Sequence, residues 1–283
     1  MGWVESIQRA IEYIEENIIE ELSMEEISKT ANASAFHFQR IFALLTDMTI
    51  SDYIRKRRLT LAAYELINTA EKVIDLSFKY GYETPEAFTK AFRKQHHMTP
   101  SEARKGKGKI NSYNRLAIQV SLRGVEPMNY RIVEKDSFSI VGVKKTYNHK
   151  QEENIKGIPT FWNEVHEDGT NDLLFELNTG DIKGVLGICV EDNSELMDYW
   201  IATEYNGEKV ESLSSLTIPT SKWAVFEVKG AMPDAMRNVW KSIFSEWLPS
   251  NSYKHAGSPE LEVYPPGNPF SPEYQSEIWI PIK

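Results

Sequence analysis

The 283 residues are 41% hydrophobic, carry a single cysteine and have a formal net charge of −9. That length suits two or three compact units, and one thiol excludes an internal disulfide. No apolar run reaches the roughly 18 residues a membrane span needs, and no charged-then-apolar leader opens the chain, so the expectation is a cytoplasmic protein.

The acidic total conceals a strong asymmetry. Residues 1–28 carry one Arg against eight Glu, and residues 29–109 carry fifteen Lys/Arg against eight Asp/Glu. Residues 110–283 return to an acidic balance, sixteen against twenty-five. A basic window between acidic flanks points to one nucleic-acid-facing module.

Trp3, Ile7, Ile11, Ile14 and Ile18 recur at helical spacing and predict an amphipathic helix over residues 3–20. Ser23-Met24-Glu25-Glu26 has the form of a capping box and opens a short helix ending near Thr30. Small residues at 31–33 make a tight turn, and Ser34 caps a further helix running to Thr46. Two short helices joined in this way are a helix-turn-helix signature. In the second of them Phe38, Ile41, Phe42 and Leu45 form the apolar stripe. Phe36, Gln39 and Arg40 point elsewhere, and Gln and Arg are side chains that pair bidentately with adenine and guanine edges.

A long helix from Thr49 to Thr69 follows, with Tyr53, Ile54, Leu59, Leu61, Ala62, Ala63, Leu66 and Ile67 expected to be buried. Its four consecutive cations, Arg55 to Arg58, cannot share one face, so some are expected on phosphates and others in local pairs. Val73–Tyr80 forms a short helix stopped at Gly81. Thr84 then caps a segment of the same design as Ser34–Thr46, with Pro85 at the first helical position. It buries Phe88, Ala91 and Phe92 and leaves Glu86, Thr89, Lys90 and Arg93 exposed. Thr99-Pro100-Ser101 closes the module. His37, His96 and His97 are expected at the surface or facing phosphate, since no Cys or carboxylate completes a metal set at useful spacing.

The runs Ser34–Phe42, Tyr53–Leu59, Gly81–Phe92 and Thr99–Lys105, in register over about residues 5–106, resemble the AraC/XylS family of bacterial transcription regulators. The resemblance implies two helix-turn-helix units joined by a long helix, placing both recognition helices in successive turns of one major groove, about 34 Å apart. It assigns DNA contacts to Phe36, Gln39 and Arg40 in the first unit and to Pro85, Glu86, Thr89, Lys90 and Arg93 in the second. Ser34, Arg55 and Thr84 beside them are further expected contacts. Relatives carry amides where Pro85 and Glu86 stand; Glu86 either accepts from a cytosine amino group or repels phosphate.

Lys105-Gly106-Lys107-Gly108-Lys109 opens a linker, 109–127, that separates a DNA-binding domain over 1–108 from a second domain over 128–283. It lacks the strand and hydroxyl residue of a nucleotide-binding loop. From Ala117 onward the apolar period changes from 3.6 to 2. Candidate strands are 117–122, 131–134, 138–145, 184–191, 197–204, 223–229, 260–264 and 276–282, with helices over 159–167 and 233–247. Strand–helix–strand–strand occurs twice, and Asp198–Ala202 matches Glu277–Pro281 in pattern. A duplicated βαββ unit packs as one antiparallel sheet with both helices on one face, leaving the other face to curve into a groove. The fold class is thus multidomain, all-α followed by α+β.

Ile140–Val143, Trp223–Val228, Trp240–Pro249, Pro259–Tyr264 and Ser276–Ile282 resemble the gyrase-inhibitor-like effector-binding domain found behind AraC-type modules and in multidrug-sensing regulators. That resemblance implies a ligand groove with an acid on the last strand, here Glu277, among aromatics: Trp279, Trp200, Trp223, Tyr264 and Trp162. A carboxylate ringed by aromatic faces suits an amphipathic or cationic effector. By alternation Glu277 shares a face with Trp279, and the face is either groove or solvent. The expected partners are double-stranded DNA, a small effector and RNA polymerase, with a homodimer admitted. No cofactor, metal or catalytic constellation is expected. The alternatives are a small-molecule hydrolase using Glu277 as general base, and a DNA binder whose second half docks a protein.

Overall fold

The computed structural model describes residues 3–31, 33–117, 128–148, 153–191, 196–257 and 259–283. The chain divides into two units, Met1–Leu122 and Arg123–Lys283, each taken here by itself. The candidate strand over 117–122 lies, after Ala117, outside the described residues, as does Asn32 of the first turn.

The first unit is helical: α1 Trp3–Glu16, α2 Met24–Thr30, α3 Ala35–Thr46, α4 Ile50–Asn68, α5 Val73–Lys79, α6 Pro85–His96 and α7 Pro100–Arg104. Helix α1 stops short of residue 20. Asn17 turns its side-chain amide onto the Tyr13 carbonyl at 2.8 Å, which closes the last turn. Its apolar stripe behaves as the spacing predicts, with Ile7, Ile11, Ile14 and Ile18 all buried. Ser23 caps α2 by accepting from Glu26 N, while the Glu26 carboxylate takes the Ser23 hydroxyl. The full reciprocal box is instead at α7, between Thr99 and Glu102.

The two helix-turn-helix segments share one frame. Ser34 and Thr84 cap α3 and α6 by accepting a backbone N–H, and Asp47 and His97 end them in left-handed conformations. Thr49 and Thr99 then cap the helices that follow. A left-handed non-glycine residue is uncommon, and its use at both stops sets the same exit from each helix.

The long helix α4 buries Tyr53, Leu59, Ala62, Ala63 and Leu66, whereas Ile67, expected in the core, is 43% exposed. Leu66 already occupies the inward position there, and the next residue lies about 100° around the helix. Leu59, Ala62, Ala63, Leu66, Leu76, Tyr80, Phe88 and Phe92 form one core that ties α4, α5 and α6 together.

The second unit is an eight-stranded antiparallel sheet with helices α8 Glu153–Glu167, α9 Thr170–Leu177 and α10 Asp234–Ser242. The strands are β1 Tyr130–Lys135, β2 Phe138–Asn148, β3 Val185–Glu191, β4 Leu196–Glu204, β5 Ser214–Ile218, β6 Ser221–Lys229, β7 Leu261–Tyr264 and β8 Gln275–Ile282. Their order is β1-β6-β8-β7-β3-β4-β2-β5. Reading outward from the central β7–β3 pair, β8-β6 mirrors β4-β2, which is the duplicated βαββ unit around a pseudo-twofold axis. Strand β5 and helix α9 are additions to the pattern expected from sequence. Helix α10 widens into a π-turn at Ile243–Trp247 and ends with one turn over Leu248–Ser250.

All three helices pack on one face. Lys145 of β2 pairs with Glu164 of α8, and Trp240 of α10 donates to Glu262 of β7. The opposite face, away from these three helices, has its own apolar cluster, in which Ile140, Leu186, Ile188, Trp200, Trp223 and Leu261 are buried.

Candidate functional site

In the first unit the two helices expected to read DNA present themselves differently. On α6, Glu86, Lys90 and Arg93 are exposed, as their spacing predicts. With Pro85, Thr89 and Thr99 they line a shallow hollow of about 430 Å³. On α3 the prediction fails at Gln39, which is 3% exposed, while Phe36, open between anchoring the turn from the core and touching a thymine methyl from the surface, is 5% exposed. Gln39 sits beside Phe38 and Phe42 on the flank of the apolar arc, and Phe36 follows the general tendency of a large ring to leave water. Ser34 is exposed, and His37 and Arg40 are half-buried.

The four cations of α4 are all engaged within the unit, against the expectation that some would face phosphate. Arg55 pairs with Asp52 at 2.6 Å. Lys56 stands 4.8 Å over the Tyr113 ring. Arg57 grips Glu15 through two bonds of 2.7 Å. Arg58 donates to the carbonyls of Ile18 and Glu20, both at 2.7 Å, and so caps the end of the first helical segment. His96, expected at the surface, is 1% exposed. It lies against Phe92 with its Nε2 3.2 Å from the Leu59 carbonyl, because it falls one turn after Phe92 on the inward face of α6.

In the second unit the six residues expected around a ligand divide among three places. Glu277 and Trp279 line a groove of about 660 Å³ on the face away from the three helices. The groove carboxylate is already neutralised: Arg131 donates to it at 2.8 Å, and the Trp279 indole donates to its other oxygen at 2.8 Å. Other walls carry Lys135, Lys183 and Asp181, so charge pairs dominate the groove, not the expected aromatics. Trp200 and Trp223 share this face but are packed into the cluster beneath it, at 4% and 0% exposure. Alternation places them correctly; the curl of the sheet then buries them.

Trp162 and Tyr264 lie on the helix-covered face, and there they meet a residue that sequence reasoning missed. Glu262 of β7 accepts from Trp240 Nε1 at 2.7 Å and from the Tyr264 hydroxyl at 2.9 Å. Trp162 packs edge-on to Tyr264 with ring centroids 5.1 Å apart, and its indole donates to the Tyr199 hydroxyl at 2.9 Å. Directly across from Glu262, on β3, stands Gly187. A side chain there would meet the Tyr199 oxygen at 2.5 Å. The central strand pair therefore holds one carboxylate inside a frame of four aromatic side chains, opened by a glycine. Glu262, Trp162 and Tyr264 remain half-exposed, while Tyr199 and Trp240 are buried.

Comparison with known proteins decides the lineage. Residues 131–282 match the family described as Cass2, integron-associated effector binding protein, and residues 27–106 match a helix-turn-helix domain family. SoxS of Escherichia coli K12 is 39% identical over 98 residues, 35% of this chain and 92% of SoxS. The chain is an AraC-type regulator with a Cass2 effector-binding domain. The HTH-type transcriptional regulator YbfP of Bacillus subtilis strain 168 is 39% identical over 104 residues, and there the match spans only 35% of the relative's length. The solved structure of SAV2435 bound to tetraphenylphosphonium is 29% identical, with a TM-score of 0.50, over 55% of this chain and 94% of that one.

As an AraC-type regulator the chain is a DNA-binding transcription regulator whose C-terminal domain is of the effector-binding kind. Among the described residues no helix is long and apolar enough to cross a membrane, and no cluster of three or more His, Cys, Asp or Glu could hold a metal. In the Cass2 domain the signals for the missed site were present but faint. Glu262 alternates with Leu261 and Val263, which makes it resemble a solvent-facing acid. The informative residue was Gly187 inside an apolar strand, since an interior strand glycine marks a place kept open.

Proposed function

We propose that the second unit senses a lipophilic cation at the Glu262 site, and that the first unit binds a two-part DNA site through α3 and α6. The observation that carries the effector reading is the Glu262 carboxylate, held by two aromatic donors and framed by Trp162, Tyr264, Trp240 and Tyr199. A fixed anion among aromatic faces attracts a cation twice, by charge and by ring quadrupole. That a structural relative binds tetraphenylphosphonium, a lipophilic cation, supports the same chemistry here. Glu277 is the weaker candidate, because a ligand cation there must displace Arg131.

On the DNA side, Lys90 and Arg93 supply backbone grip, and base reading falls to Arg40 on α3 and to Glu86 and Thr89 on α6. Ser34 and Thr84 act through the caps they form. For Gln39 and Phe36 to touch bases, α3 must first expose them. The domain boundary moves to the C-terminal side of residue 116, and RNA polymerase is the expected protein partner. Ligand binding changes DNA occupancy only if it favours one of two arrangements.

Titration with tetraphenylphosphonium, read by tryptophan fluorescence, tests the effector reading. Glu262→Gln is expected to weaken binding by about tenfold or more, as the loss of a desolvated charge partner does, and Glu277→Gln to change it little. The reverse order would move the site to the groove. Unchanged binding in both variants would remove the carboxylate from the account.

A further inference from the structure

Residues 111–116, expected in a loose linker, lie along α4 in a continuous run of side-chain contacts. Asn111 donates to the Gln95 carbonyl at 2.8 Å, and Gln95 returns bonds to Lys56 O and Thr60 Oγ1, each at 3.1 Å. Tyr64 donates to Ser112 Oγ at 2.8 Å. The Tyr113 N–H reaches Thr60 Oγ1 at 3.1 Å, and its carbonyl accepts from Arg57 at 2.6 Å. The Leu116 N–H reaches the Tyr53 hydroxyl at 3.0 Å, which itself donates to Glu15 at 2.5 Å. Just before this run, Ile110 packs on the core of α4, α5 and α6.

The residues of α4 that receive the segment are Tyr53, Arg57, Thr60 and Tyr64. Their spacing of four, three and four makes one stripe along the helix, and the segment runs antiparallel to it. At its start it is bonded to Gln95 of α6, in the second helix-turn-helix segment. At its end it joins the Glu15–Tyr53–Arg57 hub, which belongs to α1 and the first. Four of these bonds join the segment directly to side-chain atoms of α4, and Tyr53 and Thr60 are 2% and 0% exposed, so two of the anchor points are fixed in the core.

We propose that residues 111–116 are a strap that fixes the placement of the second reader helix relative to the first, and so sets the spacing of the two DNA half-sites the protein accepts. The proposal rests on the two-part reading of DNA given above. A helix alone can bend between its ends; a second strand of bonds from α6 to the α1 hub resists that bending. Because two tethered contacts gain affinity only when their geometry matches the site, loosening the strap lowers two-part affinity without touching either reader.

The test uses the full chain and two duplexes selected in vitro by the wild-type protein, one with both half-sites and one reduced to a single half-site. Tyr113→Ala removes the ring under Lys56 at a partly exposed position, and Thr60→Val removes the acceptor for the Tyr113 N–H. Both variants are expected to bind the two-part duplex at least about tenfold more weakly than wild type. Binding to the single half-site is expected to stay within about twofold, well under the tenfold that 1.4 kcal/mol represents. Amide exchange at Tyr113 and Leu116 is expected to accelerate in step. Should Thr60→Val fail to fold, Tyr113→Ala decides alone. Equal losses on both duplexes, or none on either, would overturn the strap. If wild type itself bound the two duplexes equally, the two-part reading would fail first and take the strap with it.

Discussion

Lys135 on the edge strand β1 reaches Glu204 at the end of β4, 3.0 Å away, although four strands separate β1 from β4 in the sheet. The contact is possible only because the face away from the three helices is curled. Glu204 is 2% exposed, and its second oxygen accepts the Ile182 N–H at 2.8 Å. Asp181 adds a second carboxylate 3.1 Å from the ammonium. Burial pulls the Lys135 pKa down, but the bonds to Glu204 and Asp181 outweigh it and the net direction is upward. The pair therefore contributes its stability below the ordinary lysine pKa and loses it as pH rises through the folded value.

Lys135→Ala strands the Glu204 carboxylate in the interior, which costs about 3–5 kcal/mol, whereas Lys135→Met combined with Glu204→Gln should cost much less. Denaturant unfolding followed by tryptophan fluorescence reports on this unit, since Trp162, Trp200, Trp223, Trp240, Trp247 and Trp279 all lie in it. Similar losses for the single and the double variant would mean the pair contributes packing alone.

His96 gives the first unit a pH dependence of the opposite sense. Its pKa is lowered, first by burial and then by His97, with the Leu59 carbonyl pulling the other way. While Nε2 donates to that carbonyl, Nδ1 is buried with no partner of its own. A histidine held neutral contributes stability above its unfolded pKa of about 6.5 and loses it as pH falls toward the folded value. Helical unfolding followed by circular dichroism should therefore weaken progressively below about pH 6.5. In His96→Gln that slope should flatten, and its persistence there would place the titration elsewhere.

Lys90→Ala and Arg93→Ala should each weaken DNA binding by a similar factor on every sequence and reduce the salt slope by about 0.9. Arg55→Ala should leave that slope unchanged, because Arg55 is bound to Asp52. Fluorescence anisotropy across a salt series measures both. A reduced slope for Arg55→Ala would show that the guanidinium leaves Asp52 for phosphate.

Gly187→Ala tests the opening opposite Glu262. The new methyl would lie 2.5 Å from the Tyr199 oxygen and 3.4 Å from the Trp162 ring, so the bond between them must shift. Tetraphenylphosphonium affinity should fall by about tenfold or more, as when a pocket loses matched shape, with only a modest change in unfolding midpoint. Wild-type affinity in this variant would place the ligand outside the Glu262 frame.

Much of this architecture is legible in the residues themselves. Ser34, Thr49 and Thr84 announce helix starts because a hydroxyl before an apolar stripe has a specific bonding role, whereas Thr99, expected only to close the module, caps a further helix. The period-2 strands announce themselves by alternation. Strand β5, Ser214–Ile218, does not, since a short edge strand of Ser and Thr needs no apolar face, and α9 begins at Gly169 without a side-chain cap. The harder failures are long-range. Nothing local told Arg57 to seek Glu15, Gln39 to be buried, or Glu277 to be paired with Arg131, because those partners arrive from distant parts of the chain. Glu262 was overlooked for the same reason: its significance lies in Trp240, Tyr199 and Gly187, none of which is its neighbour in sequence.

The matched ends of α3 and α6 bear on how such regulators diverge. Each reader is bracketed by a hydroxyl cap and a left-handed stop, at Ser34 and Asp47 in one and at Thr84 and His97 in the other. Those brackets hold the helix whatever stands on the outer face of α6, where substitutions at exposed positions typically move stability by no more than about 0.5 kcal/mol. On the reading proposed above, operator preference can thus drift through Glu86 almost without a folding penalty, and promoter rewiring becomes an evolutionarily cheap change.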